Sequence, residues 1–237
     1  MMKKKIILSI FFVLFLCQLS HASLLDAIKE TFNNTTSSSS NKVDLGLKEA
    51  LNVGIKNTIT YLGEKDGYFG NAAVKILLPE KIRKLEPVLR GIGYGPQIDE
   101  FTLSMNRAAE KAAPLAADIF SQAITEMSFD DANKILRGGN TAATDYLKEK
   151  TYNKLLEKFQ PEVRKTMSEY KVTRKYDALN AKAQKLPLVG QALNLNVNNY
   201  VSSKALDGFF LVLAREETNI RTNPKARVTD LLKEVFK

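Results

Sequence analysis

The sequence predicts an all-α fold: a single helical-bundle domain of about eight to nine helices, with a kinked long helix and a buried central C-terminal helix. Three observations carry this. From about Val43 onward, apolar residues recur at spacings of three and four almost everywhere, the period of helices with one buried face. No convincing strand pair and no internal repeat is found in the chain. The segment Ala205 to Ala214, ALDGFFLVLA, is apolar on almost every side, which places its helix at the centre of a bundle.

Taken in order, the chain opens with Lys3, Lys4 and Lys5, followed by an apolar run from Ile6 to Leu16 broken only by Ser9; Ser20 and Ala22 are small residues at the minus-three and minus-one positions of a cleavage site. This reads as a secretory signal peptide over 1–22. Residues 23–42 hold a short amphipathic stretch, Leu24 to Phe32, and a Ser/Thr/Asn-rich linker, NNTTSSSSN, of flexible composition. The all-helical domain is expected over 43–237. Leu47, Leu51, Ile55, Thr58, Ile59 and Leu62 share one face of a first helix, and Asp66-Gly67 closes it with a turn. Residues 71–78, NAAVKILL, are ambiguous between helix and strand. Pro79 suits the first residue of a helix reaching about Arg90, which Pro87 kinks or shortens.

The longest element is expected from Pro96 to Met127. Its apolar phase continues across Pro114, so a kink is expected there and not a break. Ser128 with Asp131 forms a capping-box pattern for a short helix ending at Gly138-Gly139. A helix from Thr141 to Phe159 follows, and Pro161 is expected to start the next. The phase slips near Lys171 to Thr173, predicting a helix end and a new cap at Thr173. The apolar helix then runs from Tyr200 to Arg221, and Asn223-Pro224 separates it from a last amphipathic helix carrying Val228, Leu231, Leu232 and Val235.

Composition excludes several chemistries. The chain has one Cys and one His; both, Cys17 and His21, fall in the predicted signal peptide. A mature chain from Ser23 onward then has neither, so it lacks the groups for Ser-His-Asp or Cys-His catalysis, c-type haem attachment, iron-sulfur ligation, a usual zinc site or a disulfide. Phe15 and Leu16 are too large to precede a lipidated Cys17. The apolar run is too short for a membrane span, which needs about 20 residues, and the mature chain contains no transmembrane span. The expected location is across the inner membrane, in the periplasm.

Removing Lys3, Lys4 and Lys5 leaves 32 basic side chains against 26 acidic ones, a net charge of +6. The segment Lys148 to Lys185 holds 11 basic and 5 acidic residues, the whole excess. It reads as a solvated helix surface or as a basic face for an envelope lipid or protein; nucleic acid is disfavoured after export.

Among candidate site residues, Asp207 is the one charge inside the apolar central segment, where a carboxylate must pair or shift its pKa. It is a candidate general acid or base, or a structural partner of Lys204 or an arginine. Glu217 and Arg221, four apart, can pair on the surface of the same helix. Asn106 with Glu110, and Arg107 with Lys111, are two polar pairs beside the Met105, Ala108, Ala112 stripe; they line a cleft or border an amphipathic helix. Gly91 to Pro96, GIGYGP, lacks a preceding strand and reads as helix termination and restart. DGYFGN, Asp66 to Asn71, places Tyr68 on the core or at the lip of a pocket. Catalytic candidates are therefore Asp207, Glu110 and Glu217, and binding candidates Asn106, Arg107, Lys111, Tyr68 and Arg221. No spacing matches a calcium loop; no metal site and no cofactor is expected.

Five runs resemble a known family: Asp66 to Ile82, Asp99 to Pro114, Asp130 to Thr151, Ala205 to Phe210 and Glu216 to Phe236. In this order they are similar to the exported bacterial domain-of-unknown-function family 4197. The resemblance implies an export signal followed by a helical domain of this length, and it implies no site residues. Two functions remain in view. One is a non-catalytic binding or interaction protein for an envelope lipid, polymer or protein. The other is a carboxylate-based hydrolase or lyase, which requires Asp207, Glu110 and Glu217 to converge in one cleft with Arg107 and Arg221.

Overall fold

The computed structural model describes residues 44–169 and 196–227, together with Thr229, Asp230 and Lys233. The expected signal peptide, linker, helix from Thr173 and most of the last helix lie outside the described residues. The described secondary structure is all helical. Six helices reach nine residues or more: α1 over 44–63, α2 Gly95–Ala112, α3 Ala116–Thr125, α4 Phe129–Arg137, α5 Ala142–Glu169 and α6 Val197–Thr222. Two short helical segments, Glu80–Arg83 and Glu86–Gly91, lie between α1 and α2. Among the described residues this is fewer than the eight to nine helices expected: two of those expected lie largely outside the described residues, and the prolines redraw the bounds of others.

Pro161 does not start a helix; it lies inside α5. A proline removes the bond to the carbonyl four residues back. Here both Pro161 and Glu157, which carries that carbonyl, are exposed, so water meets the lost bond. The buried stripe Leu155, Phe159, Val163, Met167 runs through without changing phase. Pro114 behaves differently. It sits in a 3-10 turn, Ala113–Leu115, that joins α2 to α3 with no loop between them, so the kinked long helix is two helices on one apolar phase. Pro79 and Pro87 each open a short segment in place of one helix to Arg90.

Residues 75–79 are neither helix nor strand; the segment is extended and follows a turn at 72–74. The capping box forms as expected: the Asp131 N–H donates to Ser128 Oγ at 3.1 Å, and the Ser128 N–H to Asp131 Oδ2 at 3.3 Å. That bond, with the Ser128 hydroxyl first among its causes, lowers the Asp131 carboxyl below its usual range.

Helix α5 packs against α2, α3, α4 and α6. Phe120 of α3 stacks on Phe209 at 5.3 Å and meets Phe210 edge-on at 5.9 Å. Helix α6 is central, but not on every side: Val201, Ala205, Phe209, Phe210 and Leu213 are buried, whereas Asp207 and Leu211 are exposed. No helix of the described residues is long and apolar enough to cross a membrane.

Candidate functional site

The turn after α1 begins at Asp66, which adopts a positive φ of 72°. A side chain at Gly67 would overlap the carbonyl oxygens of Tyr61 and Leu62, so only glycine lets the chain fold back so tightly. The chain then crosses α2. Glu110 Oε1 accepts the main-chain N–H groups of Tyr68 and Phe69 at 3.2 and 3.1 Å, and its Oε2 accepts from Arg107 at 2.6 Å. Arg107 donates also to Asp66 Oδ1 at 2.7 Å. One helical turn earlier, Asn106 Oδ1 accepts the Ile76 N–H at 2.8 Å and its Nδ2 donates to the Ile76 carbonyl at 2.9 Å. This carboxamide meets the Ile76 peptide unit as a neighbouring strand would.

Tyr68 is fully buried, and its hydroxyl donates to the Ala205 carbonyl of α6 at 2.8 Å. Burial, and then the Glu110 charge, push the Tyr68 phenol far above its ordinary range. Burial opposes the Arg107 charge, but the bonds to Glu110 and Asp66 outweigh it and raise the guanidinium. The space beside the α2 stripe is thus no cleft. The chain's own segment 66–78 fills it, and Asn106, Arg107 and Glu110 hold that segment down. Lys111 turns away and pairs with Glu169 of α5 at 2.8 Å.

Glu217 and Arg221 do pair, at 2.8 Å, but not on the surface: each side chain is 9% exposed. Glu217 also accepts the N–H groups of Ala143 and Thr144, at 3.0 and 2.8 Å, and the Thr144 hydroxyl at 2.8 Å. These donors belong to the first turn of α5, whose N–H groups lack helical partners; a carboxylate from α6 supplies them and meets the positive end of the helix dipole. Arg221 reaches on to the Ile135 carbonyl at 3.0 Å, near the end of α4. A cavity of about 20 Å³ beside this pair, walled by Leu47, Leu51, Leu147, Leu213 and Ile220, has room for one water.

Asp207 pairs with Lys204 at 3.0 Å, one of the partners the sequence offered, but its side chain is 48% exposed and not buried as its apolar neighbours suggest. A helix position apolar on both flanks still faces outward when the neighbouring element stops short of it. Glu217 borders the small cavity, Asp207 borders a separate groove, and Glu110 borders neither. The three carboxylates share no described cavity. Among the described residues, no three acidic, His or Cys side chains come together to hold a metal. The basic residues of 148–169 are exposed on α5, with Lys148 5.8 Å from the Phe210 ring and Lys150 5.7 Å from the Tyr146 ring; 170–185 lies outside the described residues. GIGYGP is a restart, as expected: Gly93 takes φ of 91° between the short helix and α2.

The groove beside Asp207 was not visible in the sequence. It has a volume of about 300 Å³ between the extended segment and α6, and Lys75, Arg83, Tyr200, Lys204, Leu77 and Leu211 line it. The Tyr200 hydroxyl donates to the Leu77 carbonyl at 3.0 Å, fixing one wall to the other. Burial raises the Tyr200 phenol above its usual range against the opposing charges of Lys204 and Arg83; the hydrogen bond to Asp207 raises the Lys204 ammonium. Lys75 Nζ sits 3.9 Å from the Phe69 ring centroid, a cation–π contact that fixes its position. Among the described residues, neither Lys75 nor Arg83 has a carboxylate within ion-pair distance. Close approach of the two walls depends on Gly208, where a Cβ would lie 3.0 Å from Tyr68 Cε1 and 3.1 Å from Val74 Cβ.

Fold and site together define an all-helical protein whose buried carboxylates hold backbone segments in place. The chain belongs to DUF4197, a family described as a protein of unknown function, whose model matches residues 37–237. No curated protein and no solved structure matches the chain.

Proposed function

We propose that the protein is exported and acts as a non-catalytic binding protein for a component of the cell envelope. One observation carries this reading. The two buried carboxylates are engaged by the fold, Glu110 by two N–H groups and Arg107, and Glu217 by two N–H groups, a hydroxyl and Arg221. Four donors from the protein itself fill the about four lone-pair sites of Glu217, and three fill all but one of those of Glu110, so neither carboxylate is placed to take a substrate proton. Asp207 has solvent access but no second carboxylate in its groove, so the pair that carboxylate hydrolysis uses is missing there. The Lys75 and Arg83 cations, by contrast, are available to a ligand.

Native mass spectrometry of the mature protein purified from its own source, with extraction of whatever co-purifies, tests the reading. A retained lipid, polymer fragment or protein supports it. An empty protein that instead turns over an envelope component, with the turnover lost in Asp207→Asn, overturns it.

A further inference from the structure

The groove between the extended segment and α6 points to a ligand class, on the reading that the protein is a binding protein. Its lining carries three cations, Lys75, Arg83 and Lys204, against one carboxylate, Asp207. Two of the cations have no carboxylate partner among the described residues. Their chemistries are complementary: Arg83 offers a planar fork suited to phosphate, and Lys75 is a point charge held over Phe69. A site for a bare anion has no use for apolar walls. This one has two exposed leucines, Leu77 at 48% and Leu211 at 39%, on the two sides of the same groove. Side chains of that size left in water beside a cation cluster mark an amphipathic partner.

The volume limits the occupant. About 300 Å³ lies at the lower end of small-molecule sites, roughly 300–1,000 Å³, which admits an anionic headgroup and the first carbons of one chain. We propose that this groove binds a single-chain anionic amphiphile as a monomer, its phosphate or phosphate-like headgroup between Lys75 and Arg83 and its chain along Leu77 and Leu211. Asp207, already paired with Lys204 at 3.0 Å, repels a second anion and leaves the Lys75–Arg83 side as the headgroup end. The other groove lined by Lys75 and Arg83 does not compete: it adds Arg90, which is already bound to Glu86 and Asp99, and both of those carboxylates.

The probe is dodecyl phosphate below its micellar concentration, titrated into the full mature chain by calorimetry, with inorganic phosphate and phosphatidylglycerol vesicles as the other arms. Saturable one-to-one binding is expected, with amide shifts at Leu77, Gly208 and Leu211 in a labelled sample. Lys75→Gln and Arg83→Gln should each weaken it roughly tenfold or more, the size of a lost charge-assisted contact. Leu211→Ser should weaken dodecyl phosphate while leaving the far weaker inorganic phosphate unchanged. All three sites are at least partly exposed, and an unchanged melting temperature verifies the fold. Equal affinity for inorganic phosphate and dodecyl phosphate overturns the proposal, as does binding to vesicles alone or binding indifferent to the Lys75 and Arg83 changes. A polymer or protein retained in native mass spectrometry, together with no dodecyl phosphate binding, overturns this inference and leaves the broader binding reading standing.

Discussion

Toward α2, the segment 66–78 meets Asn106, Arg107 and Glu110, and the main-chain N–H groups of Tyr68, Phe69 and Ile76 all find acceptors there. Toward the groove, the same segment presents Lys75 with no carboxylate partner and Leu77 half in water. One side buries polar groups and satisfies them, as a low-dielectric interior demands. The other leaves charge and apolar area together at the surface, where folding gains little from them. Charge alone does not separate the two, since both sides use cations and a carboxylate. Partners do: a side chain whose hydrogen bonds are filled by its own chain serves the fold, and one left unfilled is available to something else.

The largest test of this contrast removes Glu110. Glu110→Ala leaves the buried Tyr68 N–H and the partly buried Phe69 N–H without acceptors, and takes from Arg107 one of its two carboxylates, the other being Asp66. Each buried donor left unmet costs about 1–3 kcal/mol, so chemical denaturation should show a loss of about 2–5 kcal/mol, and a loss below about 1 kcal/mol would remove the clamp from the account of the fold. Gly208→Ala is the next largest. The new methyl would lie 3.0 Å from Tyr68 Cε1 and 3.1 Å from Val74 Cβ, which must give by a few tenths of an ångström; overpacking of this kind costs about 1–3 kcal/mol, of which alanine in place of glycine inside a helix returns about 1 kcal/mol. It also pushes the two walls of the groove apart, so it should alter both stability and dodecyl phosphate binding, which no change at Glu110's position on the other side predicts.

Helix spacing made most of the fold legible: the stripe Leu155, Phe159, Val163 and the Ser128–Asp131 box were readable because both depend on residues at most four apart. Prolines were misread at 161 because whether a missing N–H matters depends on which way that carbonyl faces, a tertiary fact. The family assignment was readable from long runs kept in order, and the model matching residues 37–237 bears it out. The polar sites were only half legible. Glu110, Asn106, Glu217 and Arg221 stood out as polar residues beside apolar stripes, but their partners on other elements lie 30 to 86 residues away, and spacing along one helix carries no word of them. Asp207 was expected to be buried because its sequence neighbours are apolar; Gly208 and Leu206 are buried and Asp207 is not. Lys75 and Arg83 had no mark at all, lying on an ambiguous segment and a helix of four residues.

Tyr68 sharpens the comparison through pH. Its phenol is raised above its unfolded value near 10 by burial and by Glu110. The protonated form is therefore the folded one: the stability it contributes is complete below pH 10 and is lost as pH rises toward the folded value, at about 1.4 kcal/mol per pH unit for one proton. Tyr68→Phe removes the bond to the Ala205 carbonyl and should cost about 0.5–1.5 kcal/mol at neutral pH. It should also flatten the alkaline limb of the stability curve, measured by denaturant titrations between neutral pH and the onset of alkaline unfolding. An unchanged alkaline slope in Tyr68→Phe would show that this phenol is not what alkali attacks.

The smallest expected effect is the one that isolates the groove. Arg83 is exposed and has no ion-pair partner among the described residues, so Arg83→Gln should change stability by no more than about 0.5 kcal/mol. Lys75→Gln gives up its contact with Phe69 at 3.9 Å, worth about 0.5–1 kcal/mol at an exposed site. If either substitution instead cost as much as Glu110→Ala, the cation would have a structural partner and the groove would belong with the clamp. A near-neutral stability change combined with a large loss of dodecyl phosphate binding is the pattern that a side chain retained for a ligand must show, because only the ligand then supplies what the fold leaves unfilled.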